Sequence, residues 1–159
     1  MHTTVIGIDP GKSGGIAMWD LGSQVVTCKM PDEDDRLVEL LRHWCFGHET
    51  HVFIEQIPKF AGTRQFAQRN IFGASIATLY GNYKLCVGIC LGLGLRPVCV
   101  VPLKWQNIVE CRNFDRLEKG PWKNRLKDRA IRLFPDVRVT LATADALLIA
   151  FAGRKMLGL

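Results

Sequence analysis

Three short β-branched, apolar runs follow one another at residues 3–9, 14–20 and 24–30, separated only by glycine-containing turns. Runs this short, joined this tightly, form strands of an antiparallel meander. Asp32 then opens an amphipathic segment with Leu37, Leu40, Leu41 and Trp44 at helical spacing. Its acidic first turn suits the helix dipole, and the pattern predicts a helix to about Phe46, ended by Gly47.

A fourth strand is predicted over 51–57, carrying Glu55 near its end and stopped by Pro58. A long, mostly apolar helix is expected from about Phe66 to Leu93, with Gly73, Ala74, Ala77 and Gly81 on one side. Small residues allow close helix packing, here against a second subunit. Residues 96–101 read as a fifth strand ended by Pro102, and the segment to Gly120 as irregular and anchored by Trp105. Pro121 begins a basic helix to Phe134, and 141–156 forms the last helix. Strands and helices in this order predict an α/β fold with a five-stranded mixed sheet flanked by helices. No internal repeat is visible.

The length of 159 residues fits one domain over 1–159, with a core that needs no disulfide or structural metal. Six cysteines form no C-x-x-C pair, and they read as reduced thiols. With the chain running straight into a strand, a cytoplasmic location is expected. The longest apolar stretch, 85–95, is too short to span a bilayer. A net charge of +6 favours a polyanionic partner without naming it. The positive residues concentrate in Lys59, Arg64 and Arg69 and between Lys119 and Arg132.

Burying a carboxylate without a partner is expensive, so acids in apolar elements carry information. Asp9 and Glu55 stand at strand ends, and Asp145 lies in an otherwise apolar helix. They converge if the first and fourth strands are neighbours and the last helix covers their ends. Their mutual repulsion would then call for a hard cation such as Mg²⁺ or Mn²⁺. Each acid alone also has a structural reading. Asp9 before Pro-Gly suits a turn, Glu55 can pair with a base, and Asp145 can face solvent. The four histidines are dispersed and none reads as a ligand, while Trp19, Trp44, Trp105 and Trp122 read as packing anchors.

GIDPGKSGGIA at 7–17, FIEQ at 53–56, RPVCVVPLKWQ at 96–106, and LFP followed by ADALLIA at 144–150 span nearly the whole chain. In this order the chain resembles the RuvC-like Holliday junction resolvases of the ribonuclease H superfamily, and its length is similar to phage-encoded members. The resemblance implies a ribonuclease H-like fold and a metal-dependent endonuclease. Such an enzyme cuts four-way junctions and other branched DNA by paired nicks, as a homodimer, in recombination, repair or phage DNA processing. The setting would be a bacterial cell or a phage-infected host.

The resemblance further implies that Asp9, Glu55 and Asp145 are catalytic and hold two divalent ions, Mg²⁺ or Mn²⁺. One ion would activate water and the other would stabilise the leaving 3′ oxygen. Lys123, placed like the family's basic residue, would stabilise transition-state charge, with Lys127 one turn on. The bland alternative is that both lysines only contact phosphates. The loop after Glu55 is where the family carries a junction-opening wedge. Phe60 is the first candidate and Phe66 the second, and a core role is open to both. Lys12, Lys59, Arg64 and Arg69 are expected to contact DNA.

One position departs from the family pattern. Where bacterial members carry a second acid or a histidine on the last helix, this chain has Ala142, with Thr140, Thr143 and a displaced Asp136 as the available oxygens. That departure motivates a second reading, a junction-binding scaffold with weak or no cleavage. A third takes GIDPGKSGG as a phosphate-gripping hairpin of the sugar kinase and actin type. That architecture needs two domains and a second phosphate loop, more than 159 residues can hold.

Overall fold

The computed structural model describes residues 3–22, 24–57 and 73–159. Phe60, Phe66, Lys59, Arg64 and Arg69, the strand-ending Pro58 and the first turns of the expected long helix lie outside the described residues.

The first three strands are β1 (Thr3–Asp9), β2 (Gly15–Asp20) and β3 (Val25–Lys29). They form the expected antiparallel meander, with Asp9 opposite Gly15 and Gly15 opposite Lys29. Helix α1 (Asp34–Cys45) follows, with Asp34 and Asp35 in its first turn and Gly47 just beyond it at φ +76°. That is the left-handed position at which a helix stops on glycine. Strand β4 (Glu49–Glu55) lies parallel to β1, and β5 (Val98–Val100) lies parallel to β4. The mixed sheet therefore runs β3-β2-β1-β4-β5, with β1 in the middle.

Helix α2 (Gly73–Gly92) connects β4 to β5. The segment after β5, expected to be irregular, contains helix α3 (Pro102–Ile108). Pro102 opens that helix; it does not simply end a strand, because proline at the first helical position lacks only an N–H that would be unpaired anyway. Helix α4 (Lys119–Leu133) and helix α5 (Ala144–Met156) complete the chain. No helix among the described residues is long and apolar enough to cross a membrane.

Side chains on a strand alternate faces, and the two faces of this sheet are both covered. Ile6, Ile8, Ile16, Val52 and Ile54 point to the side where α1 and α2 contribute Leu37, Leu41, Trp44, Tyr83, Cys86 and Cys90. Val5, Ala17 and Phe53 point to the other, where Trp105, Leu126, Leu147 and Leu148 come from α3, α4 and α5. The cysteines are free thiols, and burial raises the pKa of Cys86 and Cys90 to about 12.

Two glycines let α5 lie directly on the sheet. A Cβ on Gly7 would stand 2.1 Å from the Ala146 carbonyl oxygen and 2.5 Å from the Ala150 nitrogen, and one on Gly153 would stand 2.2 Å from the Phe53 ring. Only hydrogen fits at either place. The result is a helix backbone pressed against the centre of β1, which sets the height at which Asp145 enters the site.

Candidate active site

Strand periodicity puts Asp9 on the same face as Val5 and Gly7, and Glu55 on the same face as Phe53. Both acids therefore look toward α5. Parallel pairing of Ile8 with Ile54 sets Asp9 and Glu55 side by side at the strand ends. Asp145, in the first turn of α5, is buried at 4% exposure among apolar neighbours. The convergence expected from the sequence is the arrangement observed.

The electrostatics record how crowded these carboxylates are. Burial, then the charges of Asp9 and Asp145, push the Glu55 carboxyl up to about 8, against lowering effects from Trp105 and Lys123. Asp9 is pushed up to about 6 by burial and by Asp145, with Lys123 and the Gly11 N–H opposing. Lys123, near the start of α4, forms a close ion pair with Asp145 Oδ2. Burial works to lower the pKa of this ammonium, but Asp145, Asp9 and Glu55 outweigh it and hold it above its ordinary value. Lys123 thus faces three acids.

Asp145 Oδ1 is buried and has no hydrogen-bond partner among the described residues. An orphaned carboxylate oxygen inside a protein is costly and asks for a ligand. A hard divalent cation suits an all-carboxylate donor set, so the residues fit such an ion chemically. Among the described residues, no three His, Cys, Asp or Glu side chains are arranged as a group that could hold an ion as it stands. Lys123 supplies a positive charge beside Asp145.

Two further residues shape the site without any signal that the sequence reading used. Trp105, 1% exposed, donates its indole N–H to Glu55 Oε2 at 2.9 Å. It is a packing anchor, as expected, and also orients an acid. Gly14 is the second. The turn joining β1 to β2 contains glycines, yet among the described glycines positive φ occurs at Gly47, Gly94 and Gly158 and not in this turn. What residue 14 needs is space, because a Cβ there would stand 2.3 Å from the Asp9 carbonyl oxygen and 2.7 Å from its Cγ. The Asp9 carboxylate accepts the Gly11 N–H at Oδ1, at 3.2 Å.

Ala142 lies in the turn before α5, where its carbonyl oxygen would meet a Cβ on Gly15 at 2.6 Å. The last helix starts at Ala144, three residues later than the sequence suggests. The nearby threonines are committed to each other. Thr140 Oγ1 and Thr143 Oγ1 lie 3.1 Å apart, and each hydroxyl accepts the other residue's backbone N–H. Asp136 lines a groove with Trp19, Asp20 and Leu21, at the opposite end of β2 from Gly15. It therefore does not stand in for the missing acid. Lys12 is exposed in the turn just after Asp9, and Lys127 is half-buried one turn beyond Lys123.

No family model and no curated protein matches the chain. Among solved structures, Thermus thermophilus RuvC aligns with a TM-score of 0.56 and 18% identity, over 98% of this chain and 96% of that one. T. thermophilus RuvC in complex with a Holliday junction substrate aligns with a TM-score of 0.53 and 17% identity, over 99% and 97%. The five-stranded mixed sheet and its flanking helices, matched along nearly the full length of both chains, give this protein a RuvC-like fold of the ribonuclease H type.

Proposed function

We propose that this chain is a divalent-metal-dependent endonuclease that cleaves four-way junctions and other branched DNA by paired nicks. The observation that carries the reading is the gathering of Asp9, Glu55 and Asp145 at one end of the sheet, each from a different element and within electrostatic reach of the others, with Asp145 Oδ1 buried and without a hydrogen-bond partner among the described residues. The solved relative bound to a Holliday junction substrate supports the choice of DNA structure.

Asp9, Glu55 and Asp145 would hold Mg²⁺ or Mn²⁺, two ions per site, which when bound supply Lewis acidity for phosphodiester hydrolysis. The chain's own side chains do the rest. Trp105 donates to Glu55 Oε2 and so fixes how this carboxylate is oriented. Lys123, already protonated and beside Asp145, offers a positive charge to the phosphate as negative charge builds on it. Lys12 and Lys127, with Lys59, Phe60, Arg64 and Arg69, would contact DNA. A homodimer would pair two sites for two nicks. In its support, Ala77 and Gly81 lie on the exposed side of α2, with no described residue outside its own helix within 4 Å of a Cβ at Gly81.

A junction-binding scaffold is the second reading, favoured by the lack of an acid at Ala142 and by the closed threonine pair. Incubating a labelled four-way junction with the protein and Mg²⁺ or Mn²⁺ separates the two. Cleavage is expected, and Asp9→Asn, Glu55→Gln and Asp145→Asn should each abolish it while leaving junction binding near intact. Binding without cleavage under either metal would select the scaffold.

A further inference from the structure

The loop between α3 and α4 carries an aromatic residue that the proposed mechanism does not use. Phe114 is 73% exposed. A lone exposed apolar side chain carries no message by itself. This one is held in place. Asn113 brackets the loop, its amide donating to the Leu117 carbonyl at 2.9 Å and its oxygen accepting the Leu117 N–H at 2.7 Å. Glu110 and Arg116, on either side of Phe114, have φ of +54° and +51°. Non-glycine residues adopt that conformation at a cost, and such positions cluster where a loop serves binding.

The surroundings specify the partner's chemistry. The Arg112 guanidinium lies over the Phe114 ring, 4.5 Å from its centroid. One aromatic face is thus capped by a cation. Two of the loop's acids are answered from α4, Asp115 by Arg125 at 2.9 Å and Glu110 by Arg129 at 3.1 Å. Arg112, Arg116 and the adjacent Lys119 make the loop attractive to a polyanion. The loop also joins the helix whose Trp105 reaches Glu55 to the helix whose Lys123 reaches Asp145.

We propose that Phe114, capped by Arg112, is a stacking platform for a nucleobase of the bound DNA, with Arg112 and Arg116 taking flanking phosphates. Planar bases suit an open aromatic face, and the contact is sequence-tolerant because every base has one. The proposal rests on the DNA-binding reading above.

The test measures junction affinity against salt for the wild type, Phe114→Ala, Phe114→Leu and Phe114→Tyr, together with photocrosslinking to junctions carrying 5-iodouracil near the branch. Phe114→Ala and Phe114→Leu should weaken binding by about 5- to 150-fold, the range for losing one stacked base. The salt slope should stay unchanged, since the ring touches no phosphate. Phe114→Tyr should restore affinity, and the crosslink should map to residue 114. Wild-type affinity in Phe114→Ala, or a Phe114→Leu variant as tight as Phe114→Tyr, overturns the platform. A wild-type chain that binds no junction overturns the proposed function itself.

Discussion

The hydrogen bond between Trp105 and Glu55 is the residue-scale contact whose removal tells most about the site. Phe at 105 would delete the donor, leaving Glu55 Oε2 without its partner at 2.9 Å, and would also give up the packing of part of a fully buried indole. Partners that orient metal-binding carboxylates are worth about 10- to 100-fold in metal affinity or activity. Trp105→Phe should therefore weaken Mn²⁺ binding by a factor in that range, read by calorimetry on the folded variant, and lower the urea midpoint through the lost packing. A variant that binds Mn²⁺ normally would return Trp105 to packing alone. Sequence alone showed Trp105 as an anchor, because so large an aromatic side chain favours burial. The partner of its N–H lies 50 residues away, and no local pattern records it.

At the scale of elements, the decisive contact is α5 on β1. A methyl group at residue 7 would collide with the backbone of Ala146 and Ala150, which have no rotamer by which to retreat. The helix would have to lift from the sheet, carrying Asp145 with it. Gly7→Ala should cost about 1–3 kcal/mol in urea denaturation, the range for overpacking a filled interior. It should also abolish the proposed cleavage of branched DNA, since the site spans the gap that opens. Unchanged stability would mean that the helix slides instead of lifting. The strands, α1 and the basic α4 were legible because each announces itself by local periodicity or capping. Helix α3 was not, because seven residues hold too little pattern and Pro102 reads equally as a strand end and a helix start.

At the scale of the whole molecule, the crowded carboxylates make folding pH-dependent. Glu55 rises from 4.5 to about 8 and Asp9 from 3.8 to about 6 on folding, so the folded chain holds protons that the unfolded chain releases. The stability this gives is full below about pH 4 and is lost as pH rises toward 8. Lys123, also raised, stays protonated in both states across that window and adds no slope. With metal chelated, the melting temperature should fall between pH 5 and pH 8, and Glu55→Gln should flatten the upper part of the fall. Mg²⁺ should stabilise the chain more at pH 8 than at pH 5, because deprotonated carboxylates bind it. A level melting profile in chelator would contradict the crowding.

By itself, the sequence determined the order and type of most elements, because strand alternation, helix spacing and turn residues are local. It also singled out Asp9, Glu55 and Asp145, since acids in apolar segments stand out wherever they lie. Tertiary structure alone decided that pleat and register turn Asp9 and Glu55 toward the same helix. It also decided that Lys123 reaches Asp145, that Trp105 takes one oxygen of Glu55, and that Asp136 lies at the wrong end of the sheet. Those outcomes depend on distances between residues far apart in the chain, and they exist only once the helices have docked on the sheet.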